Sequence, residues 1–345
     1  MKIERIALLA ILVAASVGVM LYRTTVYDRP KTTVQPKFAV ITGGSGPYWQ
    51  AIASGVQSAA RDLDAEVDVR MPDHDEDLEA QSKIITDLLG NQYDGVAVSP
   101  LDAEAQTRSI NRLADHLFVV TIDSDAPLSA RLGYVGASNF AAGTKCAELT
   151  KEAVPEGGMV AVLLANLSKS NMKDRKSGFA QNLIGGDDDE ATSNDTYEIV
   201  DFLIDEGDSE RCANQIRQVL KEHDDLACIV GLNSRHGPIL LSVLKEENKL
   251  GDIKLITFDT PEETLTGVEQ GHIFATIAQD PYQYGYEAIR LLTSYCNRPK
   301  EMLPPPGLES SMNIKIKVVR AEDVASFRAD WQKRTQEKPI PAKPS

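Results

Sequence analysis

The segment TIDSDAP, Thr121 to Pro127, ends an apolar run with two carboxylates, Asp123 and Asp125, separated by one hydroxyl. Such a pair serves in proton transfer, in metal ligation, as one jaw of a grip on a small molecule, or as an ordinary capped turn. A second copy helps to choose. ITFDTP, Ile256 to Pro261, puts Asp259 at the end of another apolar run. No third or fourth ligand is spaced beside either aspartate, which argues against a metal. Asp125, before Pro127, suits a loop cap or the rim of a site.

The elements that must position these aspartates alternate along the chain. KFAVITGG reads as a strand and YWQAIASGVQSAARDL as a helix, with Trp49, Ile52, Ala53, Val56 and Ala60 on one stripe. EVDVRMP is a strand, DEDLEAQSKIITDLLG a helix stopped by Gly90, and YDGVAVSP, AEAQTRSINRLAD and LFVVTID continue the rhythm. The alternation then restarts at GMVAVLLAN and runs through DRKSGFAQNLIG, EIVDFLID, SERCANQIRQVLKEH, LACIVGLN, GPILLSVLKEEN and IKLITFDTP. Laid side by side, the two runs repeat. FAVITGG…SGVQSA matches VAVLLAN…SGFAQN, YDGVAVSP matches LACIVGLN, and LFVVTIDSDAP matches IKLITFDTP. The predicted fold class is α/β, with two similar Rossmann-like, doubly wound lobes.

In open parallel sheets, ligands sit beyond the carboxyl ends of the strands. Asp123 and Asp259 both stand there, as do Ser99, Asn166 and Asn233. Two lobes facing across a cleft would share one site lined with short polar groups, the chemistry that grips neutral hydroxyls. GGSGPYW adds Tyr48 and Trp49, whose faces can pack on the C–H side of a sugar ring. The competing reading of Trp49 is a core residue on the first helix. GGSG lacks the G-K-[ST] ending of a phosphate loop.

Composition narrows the partners. The 345 residues carry a formal net charge of -15, which excludes a nucleic-acid backbone, and no basic helix-turn-helix or finger is present. Cys146, Cys212, Cys228 and Cys296 lie far apart without zinc spacing, so they read as small buried hydrophobes, with a structural disulfide as the alternative. The acidic stretches PDHDED and GGDDDEATSND lack calcium-hand spacing and read as solvated loops. At the N-terminus, Lys2 and Arg5 precede an apolar run from Ile6 to Leu21, then Tyr22 and Arg23, the pattern of an export signal. With no clean cleavage site after it, the segment reads either as a removed signal or as an uncleaved anchor, placing the protein in the periplasm or cell envelope. A polar linker follows, and the Pro- and Lys-rich end RTQEKPIPAKPS reads as disordered.

Several of these pieces together carry a resemblance. VVTIDSDAP…YVGASNFAAG, VGLN, LITFDTPEE and above all ATIAQDPYQYGYEAI resemble the type I periplasmic solute-binding proteins of the ribose-binding family, over roughly Lys37 to Val324. The resemblance implies two lobes joined by three hinge crossings, near Ala137–Asn139, Gln279–Pro281 and Leu308–Met312. It implies 37–137 with 280–309 as first lobe and 138–279 with 310–327 as second lobe; outside it, composition marks residues 1–23 as signal or anchor, 24–36 as linker and 328–345 as disordered tail. It also implies a ligand set. Thr42 and Gly46 fall in the first loop, Tyr48 and Trp49 on aromatic stackers, Asp123 on the principal carboxylate and Asn233 on a cleft amide. Phe258, Asp259 and Gln279 fall on the other wall, and Lys173 or Arg175 supplies the cation. Ser124 stands where ribose binders commonly have arginine, and Gly46 where asparagine is frequent, so ribose itself is not implied.

The function expected is a non-enzymatic, exported sugar-binding protein that closes on a monosaccharide-like ligand and presents it to the permease of an ABC importer. The alternative destination is a membrane sensor for a sugar-like signal. No cofactor and no metal are expected. A sugar hydrolase using Asp123 and Asp259 is the rival, but it lacks an assembled catalytic constellation. His236, the one histidine near the expected cleft, reads as a rim residue.

Overall fold

The computed structural model describes residues 35–90, 92–185, 196–297 and 310–336. The expected N-terminal anchor, most of the acidic loop after Gly185 and the last nine residues lie outside them. No helix among the described residues is long and apolar enough to cross a membrane.

The apolar runs become strands in two six-stranded sheets. The first contains β1 (Lys37–Ile41), β2 (Glu66–Arg70), β3 (Gly95–Val98), β4 (Phe118–Ile122), β5 (Gly133–Gly136) and β11 (Ser310–Asn313), in the order β11-β5-β4-β3-β1-β2. The second contains β6 (Gly158–Leu164), β7 (Tyr197–Ile204), β8 (Leu226–Gly231), β9 (Lys254–Phe258), β10 (Ala275–Ala278) and β12 (Lys317–Val319), in the order β12-β10-β9-β8-β6-β7. Every pairing is parallel except β10 with β12. Parallel sheets need both faces covered. Phe38 and Val40 accordingly enter one core while Ala39 and Ile41 enter another on the opposite face.

The covering helices are α1 (Pro47–Asp62), α2 (Leu78–Asp87), α3 (Thr107–Ala114), α4 (Asn139–Ala153), α5 (Ser170–Ile184), α6 (Ser209–Glu222), α7 (His236–Glu246), α8 (Glu262–Glu269), α9 (Pro281–Asn297) and α10 (Val324–Gln336). Side chains of Asp77, Ser138 and Asp208 cap α2, α4 and α6. The repeat seen in sequence has a packing cause. A Cβ on Gly55 would lie 1.9 Å from the Tyr282 carbonyl oxygen, and one on Gly285 2.1 Å from that of Ile52, so α1 and α9 cross at backbone contact. Gly178 and Gly143 do the same for α5 and α4, each 2.1 Å from a facing carbonyl. The SGVQSA and SGFAQN repeats carry Gly55 and Gly178, one glycine of each crossing.

Three crossings join the lobes: 137–138 between β5 and α4, 279–280 between β10 and α9, and 314–316 between β11 and β12. Two boundaries expected from sequence need correction. β11 pairs with β5, so residues 310–313 extend the first sheet and not the second. Residues 328–336 are not a tail but the end of α10, whose Val324 is fully buried and whose Phe327 packs on the second core. Neither β5 nor α4 stands out in the sequence, because Gly133–Gly136 is short and α4 carries little apolar periodicity.

Candidate functional site

The strand order reverses about β1 in the first lobe and about β6 in the second. Beyond the carboxyl ends of these strands the lobes face each other across a pocket lined by Tyr48, Trp49, Asp123, Arg175, Asn233, Asp259 and Gln279. Seven of the residues expected from sequence thus converge.

Asp123 follows β4 and is nearly closed to solvent. Its Oδ1 accepts from the Tyr48 hydroxyl at 2.6 Å, and its Oδ2 from Ser99 Oγ at 3.2 Å and Asn171 Nδ2 at 3.4 Å. Burial, with the Asp123 charge beside it, pushes the Tyr48 phenol well above its ordinary range, so Tyr48 stays a donor. Trp49 meets Tyr48 edge-on, with ring centroids 5.2 Å apart. It serves both the first core and the pocket wall. GGSG has a steric role here. A Cβ on Gly43 would lie 2.8 Å from the Trp49 ring, and one on Gly44 would overlap the Asp75 carboxylate.

On the other wall Arg175 is 2% exposed. Its guanidinium donates to Asn139 Oδ1 at 2.9 Å, the Leu232 carbonyl at 2.8 Å and Gln279 Oε1 at 3.1 Å, and stacks 4.0 Å from the Phe258 ring centroid. None of these partners is charged, so its positive charge stays available to the cleft. Asp259 accepts from Gln279 Nε2 at 2.9 Å through Oδ1. Burial raises its carboxyl to about 6; Asp123 adds to this, while Arg175 and Gln279 oppose it.

Three expected residues stand back from the pocket lining. Thr42 donates to the Gly44 carbonyl, Ser124 faces Ser170 Oγ at 3.3 Å, and Phe258 lies beneath Arg175. Gly46 lies at the N-cap of α1 on an outer chamber. Lys173 is exposed, so Arg175 is the cation of that helix in the pocket. Asp125 is bound at 2.5 Å by both Arg131 and Thr121 and also caps Ala126 N, which makes it a loop anchor.

Other residues were not singled out from sequence. Glu76, in the loop before α2, receives Lys169 Nζ at 3.0 Å and Asn166 Nδ2 at 2.6 Å from the opposite lobe. Asn171, 2% exposed, lines the pocket, and its Oδ1 has no hydrogen-bond partner. The segment NMKDRKSGF flagged the right helix but not this residue.

His236 is fully buried, not on the rim. Its Nδ1 accepts from Asn233 N at 3.1 Å, so its Nε2 carries the proton toward Asp205 Oδ2 at 2.8 Å. Burial lowers its pKa against the pull of Asp205, keeping the imidazole neutral. Asp205, Cys212 and His236 offer possible metal-ligand atoms within 4.8 Å of one another. With both imidazole nitrogens committed to hydrogen bonds, the group instead holds the Asn233 loop in place. All four cysteines are free, and Cys146, Cys212 and Cys228 are buried.

The arrangement combines fixed acceptors, fixed donors and aromatic faces on buried side chains, which suits a small polyhydroxylated molecule. Comparison with known proteins agrees with the architecture. A family model described as "Periplasmic binding protein domain" matches residues 38–300. The D-allose-binding periplasmic protein of Escherichia coli is 21% identical over 257 residues, covering 72% of this chain and 80% of that protein. A solute-binding protein of an ABC transporter from Burkholderia graminis, solved in complex with D-arabinose, superposes with a TM-score of 0.77 at 24% identity, covering 86% of this chain and 99% of that one. AraP, an arabinose binding protein from Geobacillus stearothermophilus, has a TM-score of 0.69 at 26% identity, covering 85% and 99%.

Proposed function

This chain belongs to the periplasmic binding protein family, and on that footing we propose that it binds a sugar between its lobes and delivers it to an ABC importer. The observation that carries the reading is the meeting of two strand-end aspartates, Asp123 and Asp259, with Tyr48, Trp49 and Arg175 in one interlobe pocket. Carboxylates accept from sugar hydroxyls, Arg175 and Asn171 answer the ring and hydroxyl oxygens, and Trp49 offers an apolar face. The allose- and arabinose-binding relatives support the ligand class.

Binding closes the lobes by rotation at the three crossings, and the closed form is what the permease recognises. The protein is not an enzyme. Asp123 is held by three donors, an arrangement that fixes an acceptor and does not prepare a nucleophile or base. It works outside the cytoplasmic membrane, held there by its N-terminal segment.

Calorimetric titration of the protein with pentoses, hexoses and polyols tests the reading. One sugar binding with micromolar or tighter affinity, and lost in Asp123→Ala, is the expected result. Binding of none of them overturns it. Capture of the ligand-loaded protein by a membrane sensor, with no stimulation of a permease, would redirect it from import to signalling.

A further inference from the structure

The inner cleft is not the whole space between the lobes. A chamber of about 690 Å³ opens at its mouth, and Tyr48, Arg235, Asp259 and Gln279 line both. Drug-sized ligands fill pockets of about 300–1,000 Å³, so the chamber alone has room for a unit as large as a sugar ring.

Its outer wall comes from α10. Arg328 binds Glu262 at 2.7 Å and Glu269 at 2.8 Å, both on α8, and Arg334 binds Asp280, in the second crossing, at 2.6 Å. Val324 sits in the second core. So fixed, the helix presents Phe327 and Trp331, one turn apart, to the chamber. Pro47 and Pro261 face them from the two lobes. The chain has two tryptophans, and each lines one of the two compartments: Trp49 the inner, Trp331 the outer.

We infer that the ligand is at least a disaccharide lying along the chamber, with one ring at its inner end against Tyr48, Asp259 and Gln279 and a second ring against Trp331. This rests on the sugar-binding reading and adds the size and shape of the sugar. A second ring fits better than a plain hydrocarbon group. The apolar faces alternate with Asp75, Arg235 and Glu262, which would face an occupant's hydroxyl edge. Sugar rings have that two-sided character.

The test titrates the protein with matched pairs: D-xylose and xylobiose, D-glucose with cellobiose and maltose, and D-galactose with lactose. Phenyl β-D-glucopyranoside is the apolar control. One disaccharide should bind at least about ten-fold tighter than its monosaccharide, a difference near 1.4 kcal/mol. It should also shift tryptophan fluorescence in a way Trp331→Ala removes. That substitution should leave monosaccharide affinity unchanged and erase the ten-fold gain. The wild-type comparison stands whether or not the variant folds. A monosaccharide binding as tightly as any disaccharide overturns the inference and leaves the sugar reading intact. A gain with the phenyl glycoside alone overturns it in favour of an apolar substituent. Binding of neither size overturns the sugar reading and this inference with it.

Discussion

Asp123 and Asp259 hold the same backbone position in the two halves of the chain. Each follows its strand in the left-handed conformation, with φ of 62° and 60°. Each donates its N–H across to the next strand, to the Val135 carbonyl at 3.0 Å and the Ile277 carbonyl at 2.7 Å. Aspartate enters this region more readily than most residues, because its short side chain bonds locally. The sharp turn lifts the carboxylate off the strand end and into the cleft, so one local geometry used twice arms both lobes.

Asparagine at either position keeps the turn and removes the charge. Asp123→Asn and Asp259→Asn should each weaken sugar binding by roughly 30-fold, about 2 kcal/mol for a charge-assisted hydrogen bond; Asp123→Asn should change thermal stability little, and Asp259→Asn should gain stability at neutral pH, where the wild-type carboxylate is buried and charged. The alanine variants should lose a further ~1 kcal/mol of folding stability, because alanine resists positive φ. Calorimetry and thermal unfolding on the four variants separate the two effects. Equal stability of the alanine and asparagine variants would refute the conformational argument.

Stability and binding should respond to pH in opposite senses at Asp259. Burial raises its folded carboxyl to about 6, whereas an unfolded aspartate titrates near ~3.9. The folded protein therefore binds the proton more tightly. The resulting stabilisation is fully present below about pH 4 and is lost as pH rises to about 6, at most about 3 kcal/mol. Sugar affinity should instead rise through about pH 6, as the carboxylate becomes a full acceptor. Unfolding free energies of the wild type and Asp259→Asn between pH 4 and 7 check the first half; a flat difference would refute it.

The strand-end aspartates were legible in the sequence because a parallel strand that stops at an acid repeats its pattern, and the repeat occurred in order. Arg175 and Gln279 were found through resemblance, since nothing in their spacing marks them. Glu76, Lys169, Asn171 and the role of α10 were not legible. Each depends on which face of a loop or helix turns toward the other lobe, a relation set by hinge geometry between segments distant in sequence. His236 misled for a related reason. Its neighbour Asn233 is in the cleft, but a helix start turns His236 inward to Asp205.

The Glu76–Lys169 pair ties the two lobes, with its side chains 8% and 4% exposed. Removing one partner of so buried a pair leaves a bare charge, a cost of about 3–5 kcal/mol. The lobes can avoid that cost by parting. Lys169→Met should therefore enlarge the ligand-free radius of gyration in small-angle scattering, and Glu76→Leu with Lys169→Met should restore it. An unchanged scattering curve for Lys169→Met would show that other contacts hold the lobes.

Asn171 gives the cleanest division between folding and binding. Its Oδ1 is buried without a partner, and its amide makes only a long bond to Asp123. An unsatisfied buried acceptor costs about 1–3 kcal/mol in the free protein, a cost that a ligand hydroxyl would relieve. Asn171→Ala removes the orphan atom. The variant should unfold at the same temperature as the wild type or slightly higher, yet bind sugar about ten-fold more weakly. Thermal unfolding with and without ligand reads both numbers from one experiment. A variant that loses stability without losing affinity would make Asn171 a support of the closed lobes and not a contact to the sugar.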